Sequence, residues 1–133
     1  ATYDAHLIQH KDGAEDLVLN SHTPDRTISY DKFHFQGNFF IHRKIAGASN
    51  FIFVKNATDF SDGELEFKAD HKLTLWMNHR FISVVARERT AFYLKNKTSK
   101  RLYIDDNLIE QPETEDGWIK ILLPEGAHRL YYK

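Results

Sequence analysis

The chain has 133 residues, a formal net charge of −1, 41% hydrophobic and 28% charged residues, and no cysteine. That is the size of one globular domain, long enough to fold without staples. The missing cysteines exclude disulfides, iron–sulfur clusters, thiolate zinc sites and a cysteine nucleophile; the near-neutral balance argues against a dedicated nucleic-acid binder; no apolar run approaches the 18 residues of a membrane-spanning helix.

Neither an initiator Met nor a leader-like segment opens the sequence, so the expectation is a single mature or excised domain over 1–133. Tyr3 to His10 and Leu17-Val18-Leu19 read as strands, and Ser21 to Arg26 as loop. Gly37-Asn38, between Phe33-His34-Phe35-Gln36 and Phe39-Phe40-Ile41-His42, fits a two-residue type II′ hairpin that sets Phe33 opposite His42. Phe51-Ile52-Phe53-Val54 is continuously apolar and is expected to be covered on both faces. From Leu73 the period is 2 almost throughout: Leu73, Leu75 and Met77 share one side against Thr74, Trp76 and Asn78. Strand-length runs follow at Phe81–Ala86, Ala91–Leu94, Arg101–Asp105, Trp118–Leu123 and His128–Tyr132. Asp106-Asn107 is expected to join Leu102–Asp105 to Leu108–Gln111, and Glu125-Gly126 to close Ile119–Leu123 onto Ala127–Tyr132. No stretch carries a helical stripe. Short strands separated by turn residues predict an all-β, two-sheet antiparallel sandwich, jelly-roll or Ig-like, of roughly eight to ten strands. Its expected core is Phe35, Phe40, Phe51, Phe53, Leu65, Phe67, Leu73, Leu75, Phe92, Leu94, Leu102, Ile104, Ile119, Ile121 and Leu130.

The polar residues give little chemistry. Among the eight histidines no pair sits at i, i+2 on a strand or at i, i+4 on a helix, so a transition-metal site is not expected. Asp59, Asp62, Glu64 and Glu66 could hold Ca²⁺, with Glu64 and Glu66 on one strand face, but a solvated outer face is the stronger reading. Glu113, Glu115 and Asp116 sit in a polar turn beside Pro112. No nucleophile elbow and no Gly-rich phosphate loop occurs, so the expectation is a domain with no cofactor and no catalytic residue. The triplets at Asn56 and Asn96 that match a glycosylation acceptor arise easily by chance. Arg43-Lys44, Arg87, Arg89, Lys95, Lys97, Lys100 and Arg101 suit either a solvated edge or an anionic ligand.

Aromatic residues are the informative class: 10 Phe, 6 Tyr and 2 Trp. By alternation Trp76, Tyr93, Tyr103, Trp118 and Tyr131 fall on otherwise polar faces, beside Lys95 and Arg101. A flat ring suits the apolar face of a pyranose, while Lys and Arg meet hydroxyls or carboxylates. These seven residues are the expected ligand site. Cross-strand pairing of aromatics, or packing of that face on another domain, would place the same residues there.

The segments Lys100–Ile109 and Gly117–Leu130, with the Asp-containing turn, Trp118 and the Pro124-Glu125-Gly126-Ala127-His128 stretch, resemble the β-sandwich accessory domains that end secreted polysaccharide-degrading enzymes, heparinase-type lyases included. The resemblance covers about Gly63 to Lys133 and carries no catalytic residue across. It implies a secreted or periplasmic accessory module whose partners are a polysaccharide, anionic if the lysines engage it, and a larger enzyme. A structural domain that packs its aromatic face on a partner domain, and a small polysaccharide-active enzyme, are the alternatives.

Overall fold

The computed structural model describes residues 3–22, 26–46, 48–95, 100–110 and 116–133. The loop residues 23–25, the triplet at Asn96, Lys97 and the turn with Glu113 and Glu115 lie outside them. Among the described residues there are thirteen strands and no helix. They are β1 (Tyr3–Gln9), β2 (Glu15–Ser21), β3 (Thr27–Tyr30), β4 (Phe33–Gln36), β5 (Phe39–Ile45), β6 (Ala48–Ser61) and β7 (Glu66–Met77). The rest are β8 (Ile82–Ala86), β9 (Thr90–Lys95), β10 (Leu102–Ile104), β11 (Asn107–Leu108), β12 (Trp118–Leu123) and β13 (Gly126–Tyr132). The count exceeds the expected eight to ten; β3, with four residues, falls in a stretch without an expected strand, and β10 and β11 are shorter than the runs that point to them.

Every ladder is antiparallel. One path runs β1-β2-β5-β6-β7-β8-β13-β10-β11, and a second branch runs β3-β4-β6-β7-β9-β12. The two long strands serve both. Residues of β6 up to Lys55 pair with β5, and Asp59 to Ser61 pair with β4. In β7, Glu66 to Ala69 lie in the second branch and Leu73 to Met77 pair with β8. The breaks coincide. Gly37-Asn38 separates β4 from β5; the β6–β7 register shifts between Val54 and Asp59; and Asn56 takes a left-handed φ of 54°. Such bulges bend a strand and increase its local twist, and all thirteen strands remain hydrogen-bonded as one sheet.

Three expected turns are corrected by this topology. Gly37-Asn38 makes no hairpin: β4 and β5 follow one another along the same edge of β6. The Asn38 N–H donates to the Lys55 carbonyl at 2.9 Å, and a Cβ on Gly37 would stand 3.1 Å from that oxygen. The β10–β11 turn is Asp105-Asp106, one residue earlier than expected, with φ of 47° and 68°. Positive φ at both central residues is what a type I′ hairpin needs. Finally, β12 pairs with β9 whereas β13 lies between β8 and β10. The chain crosses branches at Pro124-Glu125; the two strands contribute to the same core without sharing a ladder.

One face of each branch feeds a single buried cluster. A column of rings runs through it: Phe35 stacks on Phe40 at 5.1 Å, Phe60 on Phe67 at 5.6 Å, and Phe67 meets Phe92 at 5.5 Å. Each Phe fully withdrawn from water contributes about 1.5–3 kcal/mol. Most of the expected core is buried here, and Leu65 and Ile104 pack against it from the rim. Phe51 and Phe53 are the exceptions: Ile52 and Val54 face inward, which turns both rings to the outside.

Candidate functional site

The seven expected site residues divide into separate groups. Tyr93 and Trp118 come together on the outer face of the β9–β12 pair, where inward Phe92, Leu94, Ile119 and Ile121 leave the alternate positions to solvent. Register sets Trp118 opposite Lys95 and Tyr93 between Lys68 and Lys120. Lys68 Nζ lies 4.5 Å from the Trp118 ring and 5.6 Å from the Tyr93 ring. Lys95 Nζ stands 5.1 Å from Trp118, and Lys120 Nζ 5.9 Å from Tyr93. Lys95 also donates to the Asp116 carbonyl. No ion pair joins these three lysines to a carboxylate among the described residues. The result is a small aromatic platform under three ammonium groups.

Trp76 belongs to a different surface. On the outer face of the other branch it pairs across the ladder with Phe53 and approaches Phe51 at 6.1 Å and Phe81 at 5.4 Å. Arginines cap this row at both ends, Arg43 at 5.1 Å from Phe51 and Arg129 at 4.3 Å from Phe81. Arg43 is fixed by Asp16, with Nε and Nη2 donating to the two carboxylate oxygens at 2.8 Å. That bond holds the Asp16 carboxyl down to about 2 against its burial, helped by His10 at 2.9 Å. Tyr103 and Tyr131 form a third group, stacked at 5.4 Å and 6°. The Tyr131 hydroxyl donates to Asp106 at 2.8 Å, and that bond raises the phenol above its ordinary value. Arg101 joins none of the three: its backbone exchanges hydrogen bonds with Lys133 and its side chain is exposed.

A cleft of about 330 Å³ opens at one end of the fold. Met77 and Leu130 line it from the core, Phe51 and Phe81 from the outer row, Tyr131 from the tyrosine pair, and Glu64 and Arg80 from two turns. Both turns are held by side-chain caps. Asp62 Oδ1 accepts the N–H of Glu64 and of Leu65, and Asn78 Oδ1 accepts those of Arg80 and Phe81. A neighbouring hollow of about 340 Å³ shares Glu64 and Arg80 and adds Lys95 and Lys100.

The acidic cluster is dispersed. Asp59 pairs across the ladder with Lys68, Asp62 caps its turn, and Glu64 lies in that turn rather than beside Glu66 on β7, which corrects the shared face. Among the described residues no three His, Asp or Glu side chains converge as metal ligands. The sequence reading missed Lys68 and Lys120 on the platform and Phe51, Phe53 and Phe81 beside Trp76. Lys120 was visible as the alternation partner of Trp118; Lys68 reaches Trp118 only through the β7–β9 ladder, which no local pattern reveals. Compared with known proteins, the chain matches no family model and no curated protein.

Proposed function

We propose that the chain folds as a two-sheet antiparallel sandwich, bent where Gly37, Asn56 and the register shift align, and serves as a non-catalytic module that binds an anionic polysaccharide. In this reading it is the accessory domain of a secreted or periplasmic polysaccharide-degrading enzyme. The observation that carries the binding function is the platform: two outward rings on paired strands with Lys68, Lys95 and Lys120 at their faces. In the free protein the ammonium groups lie over the rings, an attraction worth about 0.5–1 kcal/mol at an exposed site. A sugar bearing carboxylate or sulfate displaces them. Its apolar face takes the ring while the flexible lysines swing to its charges, which keeps every ion paired.

Affinity electrophoresis in gels containing heparin, polygalacturonate or neutral dextran tests this. Retardation by a polyanion but not by dextran is expected, weakened by salt because exposed charges are screened. Trp118→Ala loses about tenfold in affinity if the stack contributes about 1.4 kcal/mol, with the melting temperature serving as the fold control. Migration unaffected by any polyanion ends the proposal. A second reading rests on the other face: the Phe51–Trp76–Phe81 row, braced by Arg43 and Arg129, suits packing against a partner domain of the same enzyme. It takes over if no polysaccharide binds.

A further inference from the structure

We infer that the edge strand β1 pairs antiparallel with β1 of a second copy of this chain, around a two-fold axis through Ala5. The inference stands apart from the glycan reading and holds whether or not the platform binds a sugar. Four strands have a single ladder partner among the described residues: β1, β3, β11 and β12. A free edge is a row of unpaired N–H and C=O groups, and proteins guard such rows by shortness, charge, proline or a bulge. Three of the four are guarded. β3 and β11 span four and two residues, and β12 carries Lys120 and runs into Pro124. Of these devices β1 has one charge, Asp4. Its seven residues pair with β2 without a break in register, and they include no Lys, Arg, Pro or Gly.

The strand is apolar on both sides. Cross-strand pairing sets Ala5 and Leu7 beside the buried Leu19 and Leu17, so Tyr3, Ala5 and Leu7 share the core side and Asp4, His6 and Ile8 the outer side. Leu7 is 57% exposed and Ile8 45%, one on each side. A strand added along the edge gives both a neighbour, which a partner covering either face alone does not. The edge itself specifies which strand. Residues directly opposite in a ladder share a face, so the axis of a symmetric pair passes through a residue rather than between two. An axis through Asp4 opposes two carboxylates. One through His6 opposes two imidazoles and sets Asp4 against Ile8, and one through Leu7 sets Ile8 against His6. An axis through Ala5 sets Asp4 against His6 of the second copy and Tyr3 against Leu7 of the second copy, each twice. An acid opposite a base, and a ring opposite an apolar side chain, both favour a ladder. Asp4 Oδ2 lies 2.8 Å from His22 Nε2; a carboxylate has a second oxygen with which to accept from another imidazole.

Sedimentation equilibrium of the unaltered chain is expected to give a mass that rises with concentration from one chain to two. Ala5→Lys places two like charges face to face at the axis and should weaken association by about tenfold or more. The melting temperature of the dilute protein should not change, because Ala5 is exposed. Disulfides read the register, since the chain has no cysteine of its own. Opposed residues have Cα atoms about 4.5–5.5 Å apart, within disulfide reach, so Ala5→Cys should form a covalent dimer in a glutathione buffer. In the same register residue 7 lies about 13 Å along the strand from its counterpart, so Leu7→Cys should form none. A mass of one chain at every concentration up to about 1 mM overturns the inference, as does an Ala5→Lys variant that associates like the parent. So does a covalent dimer from Leu7→Cys in place of Ala5→Cys.

Discussion

His128 hydrogen-bonds through both ring nitrogens, Nδ1 to Asp105 Oδ2 at 2.7 Å and Nε2 to the Pro124 carbonyl at 2.8 Å. Both partners accept, so both bonds form when the ring carries both protons, and the imidazolium then ties the β10–β11 turn to the crossover before β13. Burial alone would lower its pKa; the Asp105 bond, the Pro124 carbonyl and the Asp105 charge outweigh that and raise it. The same bond from His128, against partial burial, lowers Asp105. A raised imidazole pKa adds stability that is complete below the unfolded value near 6.5 and is lost as pH rises through the folded one. The Asp105 contribution is present above about pH 4 and fades in acid. Melting curves of the parent and His128→Gln should therefore be farthest apart between about pH 4 and 6.5 and converge on the alkaline side; a gap independent of pH contradicts the imidazolium. Leu75 and Trp76 make a second residue-level test. Leu75 is fully buried, so Leu75→Ala should cost about 2–5 kcal/mol in urea unfolding. Trp76 gives up only two outer ring contacts, so Trp76→Ala should cost about 1–2 kcal/mol; equal losses would make the outer row part of the core. Alternation made Trp76 and Trp118 legible as outward residues because polar neighbours mark their side. Phe51-Ile52-Phe53-Val54 has no polar member, and nothing local reveals which pair turns out.

At the scale of the element, turn chemistry was legible and strand partnership was not. Gly37-Asn38 and Pro124-Glu125 do interrupt strands, as their residues require. Yet each passes the chain onward along or between branches, because burial in a common core constrains which face is inward and leaves the ladder neighbour open. Gly37 shows what the bend demands. Its missing Cβ lets Lys55 and Ala57 approach, with the Lys55 oxygen already engaged by the Asn38 N–H. Gly37→Ala should cost about 1–3 kcal/mol by overpacking, measured by thermal or urea unfolding. A neutral result would mean that the β6 backbone yields there.

For the molecule as a whole, β6 and β7 belong to both branches, so neither branch has a complete set of ladders without the other. The domain should unfold as one unit. The two tryptophans report it separately, Trp76 from the first branch and Trp118 from the second. Single-tryptophan variants, Trp118→Phe and Trp76→Phe, should each give a fluorescence transition that coincides with circular dichroism of the same protein. Separate midpoints would mean that the branches melt independently. The all-β class was legible from period 2 alone, whereas the platform required a ladder between residues 68 and 93, about 25 positions apart. Non-local pairing of this kind leaves no periodic trace in the sequence.

The position of β13 has a consequence for how the protein is made. It is an interior strand, inserted between β8 and β10, yet it begins at Gly126, 40 residues after β8 ends at Ala86. At about 5–20 residues per second, a ribosome spends about 2–8 s between the two. Throughout that interval Ile82-Ser83-Val84-Val85-Ala86 presents an unpaired β-branched edge to every other nascent chain nearby. An edge of this kind is a template for pairing with another chain, so it needs cover until residue 132 has emerged.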